Sequence, residues 1–161
     1  MRLIRLRFSS LTSTVAGLLF LAACSDAFAP EVIEVIEETN FAPSLNIDLG
    51  SMTRTSSGLY IETISEGTGE PAVAGNDVTV LYVGFLSNGD VFDSSDQSGP
   101  FNFILGTGGA VDGFDEGVLG MKLGGIRLII MPPSLGYGNS ARGSIPAGSI
   151  LIFRIELESI G

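Results

Sequence analysis

Few side chains in this sequence could make or break a covalent bond. Its 161 residues include no histidine, no tryptophan and a single cysteine, Cys24. A Ser-His-Asp or Cys-His nucleophile is therefore excluded, as is the Cys/His cluster of a zinc site. The usual acid–base residue for work near neutral pH is missing too. What remains is aromatic and polar. In VFDSSDQSGPFNFILG, residues 91–106, Phe92, Phe101 and Phe103 bracket a turn-forming loop, and Asp93 sits beside the first ring. Phenylalanine should leave water, while Ser-Ser-Asp-Gln-Ser-Gly should stay in it, so rings on both shoulders of one wet loop need a reason.

Two other patterns carry little chemistry. Gly106-Thr107-Gly108-Gly109 mimics a dinucleotide loop but lacks its spacing and its strand–helix context. Asp90, Asp93 and Asp96 recur every third residue, whereas a calcium loop places ligands at every second position and adds a glycine and a distal glutamate. A solvated loop is the better reading, and no metal or cofactor is expected. The formal net charge is −10, and three of the eight positive residues (Arg2, Arg5, Arg7) lie in the first seven positions. Such a chain repels phosphate backbones, so nucleic acid is not expected as a partner.

The elements that must position these residues read as sheet. From Gly58 onward apolar residues alternate in LYIETI (59–64), VTVLYVGFL (78–86), FNFIL (101–105), IRLIIM (126–131) and ILIFRIELES (150–159). Asn88-Gly89 signals a hairpin after the second run, and a return strand begins at Val91. In the last run Leu151, Phe153, Ile155 and Leu157 share one face, and Ile150 and Ile152 share the other. Leu81, Val83 and Phe85 likewise point opposite to Tyr82, which leaves an apolar outer face in need of a cover. Residues 44–55, where Leu45, Ile47 and Leu49 alternate, or a second molecule, could supply it. Helical spacing is confined to 111–124, where Phe114, Val118 and Met121 fall at intervals of four and three. The fold class is α+β: a twisted antiparallel sheet of about five strands wrapped on one short helix.

The N-terminus reads as an address. Three arginines precede an apolar run, Val15 to Ala23, shorter than the roughly 20 residues a bilayer span requires. Residues 1–23 are expected to be a signal peptide. Leu21-Ala22-Ala23-Cys24 resembles the lipobox of bacterial lipoproteins, which implies a lipidated, palmitate-bearing Cys24 as membrane anchor. Ser25 then favours the outer membrane, facing the periplasm of a bacterial envelope. Residues 24–50 are expected to form an acidic tether with Pro30 and Pro43 as breakers, and 51–161 the folded domain.

Five ordered motifs carry a further resemblance: GLYIETISEGTG, VTVLYVGFLSNGDVFDSS, GPFNFILGTGGAVDGFDEGVLGMKLGG, IRLIIMPPSLGYG and SIPAGSILIFRIEL. Together, from about Gly58 to Ile160, they resemble the FKBP-type peptidyl-prolyl cis-trans isomerases, the class that binds macrolide drugs. The resemblance implies that the return strand is split by a bulging loop whose flanking rings line an apolar cleft. The catalytic residues so implied are Tyr82, Phe92, Asp93, Phe114, Tyr137 and Phe153. The substrate-binding residues are Phe101, Ala110, Val111 and Ile145. Val111 would offer its backbone N–H to the substrate, and Tyr137 its hydroxyl to a substrate carbonyl. The implied partners are proline-containing polypeptides of the exported or envelope class and macrolide inhibitors.

Pattern alone is less specific. Phe101, Phe103 and Phe153 read as plain core, Phe92 equally as core or cleft, and Asp93 as a turn former. Phe103 is assigned to the core. Phe114 stands where the family most often has tryptophan, and the loop after Asp93 lacks the arginine of many relatives. A weakly catalytic binding module or holdase chaperone, or a structural envelope lipoprotein, is therefore the alternative to an isomerase.

Overall fold

Alternating apolar residues pair into one antiparallel sheet, as the sequence pattern requires. A computed structural model describes residues 34–161. The expected signal peptide and the lipidation site at Cys24 lie outside the described residues. The strands are β1 Thr53–Arg54, β2 Tyr60–Ser65, β3 Asp77–Leu86, β4 Val91–Ser94, β5 Phe101–Ile104, β6 Ile126–Met131 and β7 Leu151–Ile160. Their order is β1-β2-β6-β7-β3-β4, and β5 also pairs with β3. Among the described residues the sheet thus has seven strands rather than about five. A two-residue edge strand adds one. The return strand after the Asn88-Gly89 turn adds another, because it is cut in two and both pieces pair with β3.

The cut is made by a single helical turn, α1 Ser95–Ser98, where sequence reading placed only a loop. Its polar residues tie it down. Ser94 Oγ accepts from Asp96 N at the N-cap. Ser95 Oγ accepts from Tyr82 N at 3.0 Å and lies 3.2 Å from Tyr82 O, taking the place of a strand neighbour. Ser94 and Ser95 are buried with these bonds satisfied.

The main helix, α2 Asp112–Val118, is shorter than the expected 111–124. Its periodic face is right even so: Phe114, Val118 and Met121 are all buried. The helix presses close on β6 because Gly113 and Gly117 face it. A Cβ at Gly113 would stand 2.9 Å from Met131 Cβ, and one at Gly117 would stand 2.7 Å from Ile129 Cδ1. Arg127 Nη1 donates to Gly117 O and Leu119 O, each at 2.8 Å, and so satisfies carbonyls at the helix C-terminus.

The two faces of β7 belong to two cores. Leu151, Phe153, Ile155 and Leu157 pack under α2 with Val78, Val80 and Ile129. Ile150 and Ile152 join Tyr60, Leu128 and Ile130 on the outer face. From Ile36 onward the N-terminal segment covers that outer face. Ile36 is buried there, and Phe41, Leu45, Ile47 and Leu49 pack against the cluster. Phe85 joins them, while Leu81 and Val83 stay half-buried.

Residues 34–50 therefore differ from the expected tether. Alternation in 45–49 supplies an apolar edge that is partly buried against the sheet face, each large side chain contributing less than the roughly 1.5–3 kcal/mol of full burial. Polar pins fix the register. Glu34 N donates to Gly148 O at 3.0 Å, while its carboxylate accepts from Ser87 Oγ at 2.7 Å and Ile150 N at 2.9 Å. Tyr60 Oη donates to Glu37 at 2.8 Å, and this bond holds the Glu37 carboxyl below its ordinary value.

Candidate functional site

An open cleft of about 470 Å³ lies between the inner sheet face and the start of α2, walled mainly by aromatic rings. Phe114 forms its floor at 4 % exposure. Around it stand Phe153 at 5.1 Å between centroids, Tyr82 at 5.9 Å and Phe101 at 6.0 Å, all edge to face. This geometry sets positive ring edges against negative faces and fixes each ring's tilt. Phe103 lies beneath, stacked on Phe101 at 4.9 Å, and is buried as core.

Phe92 reaches the cleft through a β-bulge. Val91 pairs with Phe85 and Asp93 with Gly84, which leaves Phe92 as the extra residue between them. Its ring meets Phe153 at 5.4 Å and 88°. Gly84 makes room for this pair. A Cβ there would lie 2.7 Å from Phe92 Cζ and 2.9 Å from Phe153 Cε1. The rings on both shoulders of the polar loop thus have their reason: α1 stays wet and turns the chain, while the strands either side aim Phe92 and Phe101 into one groove.

Polar groups are few. Tyr82 Oη donates to Asp93 Oδ2 at 2.7 Å, and Asp93 Oδ1 accepts from Ser94 N at 2.8 Å. Ser98 Oγ lies 3.1 Å from the same Oδ1. Two hydroxyls and a backbone amide thus satisfy the Asp93 carboxylate. Burial, and next the bond to Asp93, push the Tyr82 phenol above its ordinary value, so it stays protonated. Among the described residues the Tyr137 hydroxyl and the Val111 N–H make no hydrogen bond. Both line the cleft, with Ala110 between Gly109 and Val111 on the approach to α2. Asp115 Oδ1 accepts from Gly106 N at 2.7 Å and anchors that approach.

The arrangement has no nucleophile beside a base, and among the described residues no group of three potential metal ligands. It can take a small apolar ring and offer donors to the carbonyls around it. A profile of the FKBP-type peptidyl-prolyl cis-trans isomerase family matches residues 68–158. The chain belongs to that family. An FK506-binding protein of Neisseria meningitidis serogroup B is 48 % identical over 102 residues, 62 % of this chain and 94 % of that protein. FK506-binding protein 4 of Mycosarcoma maydis is 47 % identical over 108 residues. The match covers 67 % of this chain but only 29 % of that longer relative. Among solved structures, AtFKBP13 superposes with a TM-score of 0.64 at 36 % identity, covering 68 % of this chain and 98 % of that one. FkpA from Escherichia coli gives 0.64 at 32 % identity, covering 73 % and 55 %.

In this FKBP-type domain the cleft gathers Tyr82, Phe92, Asp93, Phe101, Ala110, Val111, Phe114, Tyr137 and Phe153, nine of the ten cleft residues inferred from sequence. Ile145 is the exception. It does not line the cleft but is buried in the main core at 7 % exposure, where it anchors the loop that carries Tyr137. A β-branched side chain beside Pro146 packs inward because the turn before it faces water. Sequence reading missed Gly109 and Arg142, both of which line the cleft. Gly109 carried no signal. Arg142 did, as an isolated cation in a loop of an acidic chain.

Proposed function

We propose that this domain isomerises Xaa-Pro bonds by lodging the prolyl ring on Phe114 between Tyr82, Phe92, Phe101 and Phe153. The observation that carries the reading is an open, ring-walled cleft holding two hydrogen-bonding groups, the Tyr137 hydroxyl and the Val111 N–H, that have no partner among the described residues. Rotation about the X-Pro bond breaks amide resonance, a barrier of roughly 18–20 kcal/mol, but breaks no bond to a heavy atom. No covalent or acid–base step is needed. The planar amide is more dipolar than the twisted one, so excluding water disfavours the planar ground state. Val111 and Tyr137 hold the flanking peptide groups, and that binding energy supports the rotated geometry. An apolar residue before proline suits the walls. FK506 and similar macrolides are proposed inhibitors, in line with the names of the relatives. A chymotrypsin-coupled or NMR exchange assay on a Xaa-Pro peptide tests this: turnover blocked by a macrolide supports it, and no acceleration refutes it.

A holdase reading draws on one observation, the smaller phenylalanine at position 114. Chaperone activity that survives Tyr137→Phe and Phe92→Ala, without measurable turnover, would favour it.

We further propose that the protein works on exported or envelope polypeptides, tethered through lipidated Cys24 to the outer membrane and facing the periplasm. Support comes from the three arginines, the apolar run and the Leu-Ala-Ala-Cys sequence. Loss of membrane fractionation in Cys24→Ala, with no lipid adduct by mass spectrometry, is the expected outcome. A wild-type chain without an adduct removes the proposal.

A further inference from the structure

Arg142 stands out in a chain of net charge −10, since it is the one cation among the described residues that line the cleft. Its position is built. Arg142 and Ile145 exchange backbone hydrogen bonds at 2.8 and 2.9 Å across the Gly143-Ser144 turn. Gly143 takes φ +59° there, and Ile145 is plugged into the core. The guanidinium lies 5.0 Å above the ring of Tyr137, a cation–π seat that holds it at the lip. It has no carboxylate within ion-pair distance among the described residues, whose one such pair joins Arg54 and Glu37. Asp93, the acid of the cleft, is already engaged at both oxygens by Tyr82 and Ser94.

A seated guanidinium without a partner at the mouth of a peptide groove has a fork of donors suited to a carboxylate. We propose that Arg142 is a specificity residue that favours substrates with an Asp or Glu side chain within two residues of the proline. This rests on the isomerase reading above.

The test compares kcat/KM for matched peptides carrying Glu or Lys at each position flanking an apolar-Pro pair, at low and high salt. Remote acidity of the protein disfavours Glu peptides equally in every variant, so the Glu/Lys ratio relative to Arg142→Gln isolates the guanidinium. In wild type that ratio should exceed that of Arg142→Gln by about two- to fivefold at low ionic strength, the range of an exposed ion pair. It should shrink in salt, and Arg142→Glu should push it further toward Lys. Activity on all peptides with an unchanged ratio overturns the inference while leaving the isomerase intact. A uniform fall for Glu, Lys and neutral peptides also overturns it, because the guanidinium would then be serving a peptide carbonyl. No turnover on any peptide refutes the isomerase reading, and this inference with it.

Discussion

Tyr82 and Asp93 are joined across the β3–β4 pair by a 2.7 Å hydrogen bond from phenol to carboxylate. The bond ties the wall of the cleft to the start of the turn that splits the return strand. In Tyr82→Phe the ring stays and one carboxylate oxygen loses its protein donor. Asp93 is exposed, so water can substitute. The expected cost is about 1 kcal/mol in urea unfolding, with kcat/KM falling by less than about tenfold. A larger loss of activity with unchanged stability would give the phenol a direct role on substrate.

Tyr137 is the contrasting case. Its hydroxyl has no protein partner among the described residues, so Tyr137→Phe should leave stability within about 0.5 kcal/mol of wild type. The effect should instead fall on turnover, by about three- to tenfold, if the hydroxyl meets a substrate carbonyl. Paired measurements of urea midpoint and kcat/KM separate this from a packing defect, which would move both.

The Tyr82 phenol also sets the expected pH response. It donates only when protonated, and its folded value is raised above the ordinary one, first by burial and then by Asp93. A raised folded value means the stabilisation is complete below the unfolded value of about 10 and is lost as pH climbs through the folded one. Turnover of a proline tetrapeptide should therefore be flat from about pH 5 to 8, with loss of both stability and rate only in the alkaline range. A steep titration near pH 6–7 would contradict a mechanism without proton transfer.

The covered outer face makes its own prediction. Ile36 is 3 % exposed against Ile130, Ile150 and Ile152, each at 0 %. Ile36→Ala should cost about 2–4 kcal/mol. Removing residues 34–52 should uncover the face and drive self-association, read by light scattering, although none of these residues lines the cleft. Unchanged stability and a monomeric truncated chain would mean the segment contributes no cover.

Period and turn chemistry made much of this architecture legible. The strict alternation in 150–159 placed β7 with both of its faces, and Asn88-Gly89 placed the hairpin. Less legible were features that depend on what lies opposite. Ser94 is an ordinary N-cap residue, but a serine-rich stretch reads equally as a loop, and the bond that seats this turn on the sheet joins Ser95 to Tyr82, thirteen residues away. The need for Gly84 appears only when Phe92 and Phe153 close over it. Phe92 read equally as core or cleft because the bulge that turns it is a property of pairing, not of local pattern. Ile145 differs in placement: motif position suggested the rim, and its side chain packs into the main core.

Phe114 gives the sharpest handle on the cleft. The ring is surrounded by Tyr82, Phe101, Phe103 and Phe153 at 5.1 to 6.0 Å, and open space lies above it. In Phe114→Trp the added ring can extend into that space rather than into packed core, so the strain should stay under about 1.5 kcal/mol. The larger floor offers a prolyl ring more contact area, and a macrolide should bind several-fold tighter, with turnover rising rather than falling. The chain has no native tryptophan, so the new indole, excited at wavelengths the three tyrosines do not absorb, reports from where ligand must sit. Its emission should shift when a proline peptide or macrolide is added, and titration of that signal gives affinity directly. A fluorescence unresponsive to either ligand, in a variant that is folded, would show that the prolyl ring does not come to rest on Phe114.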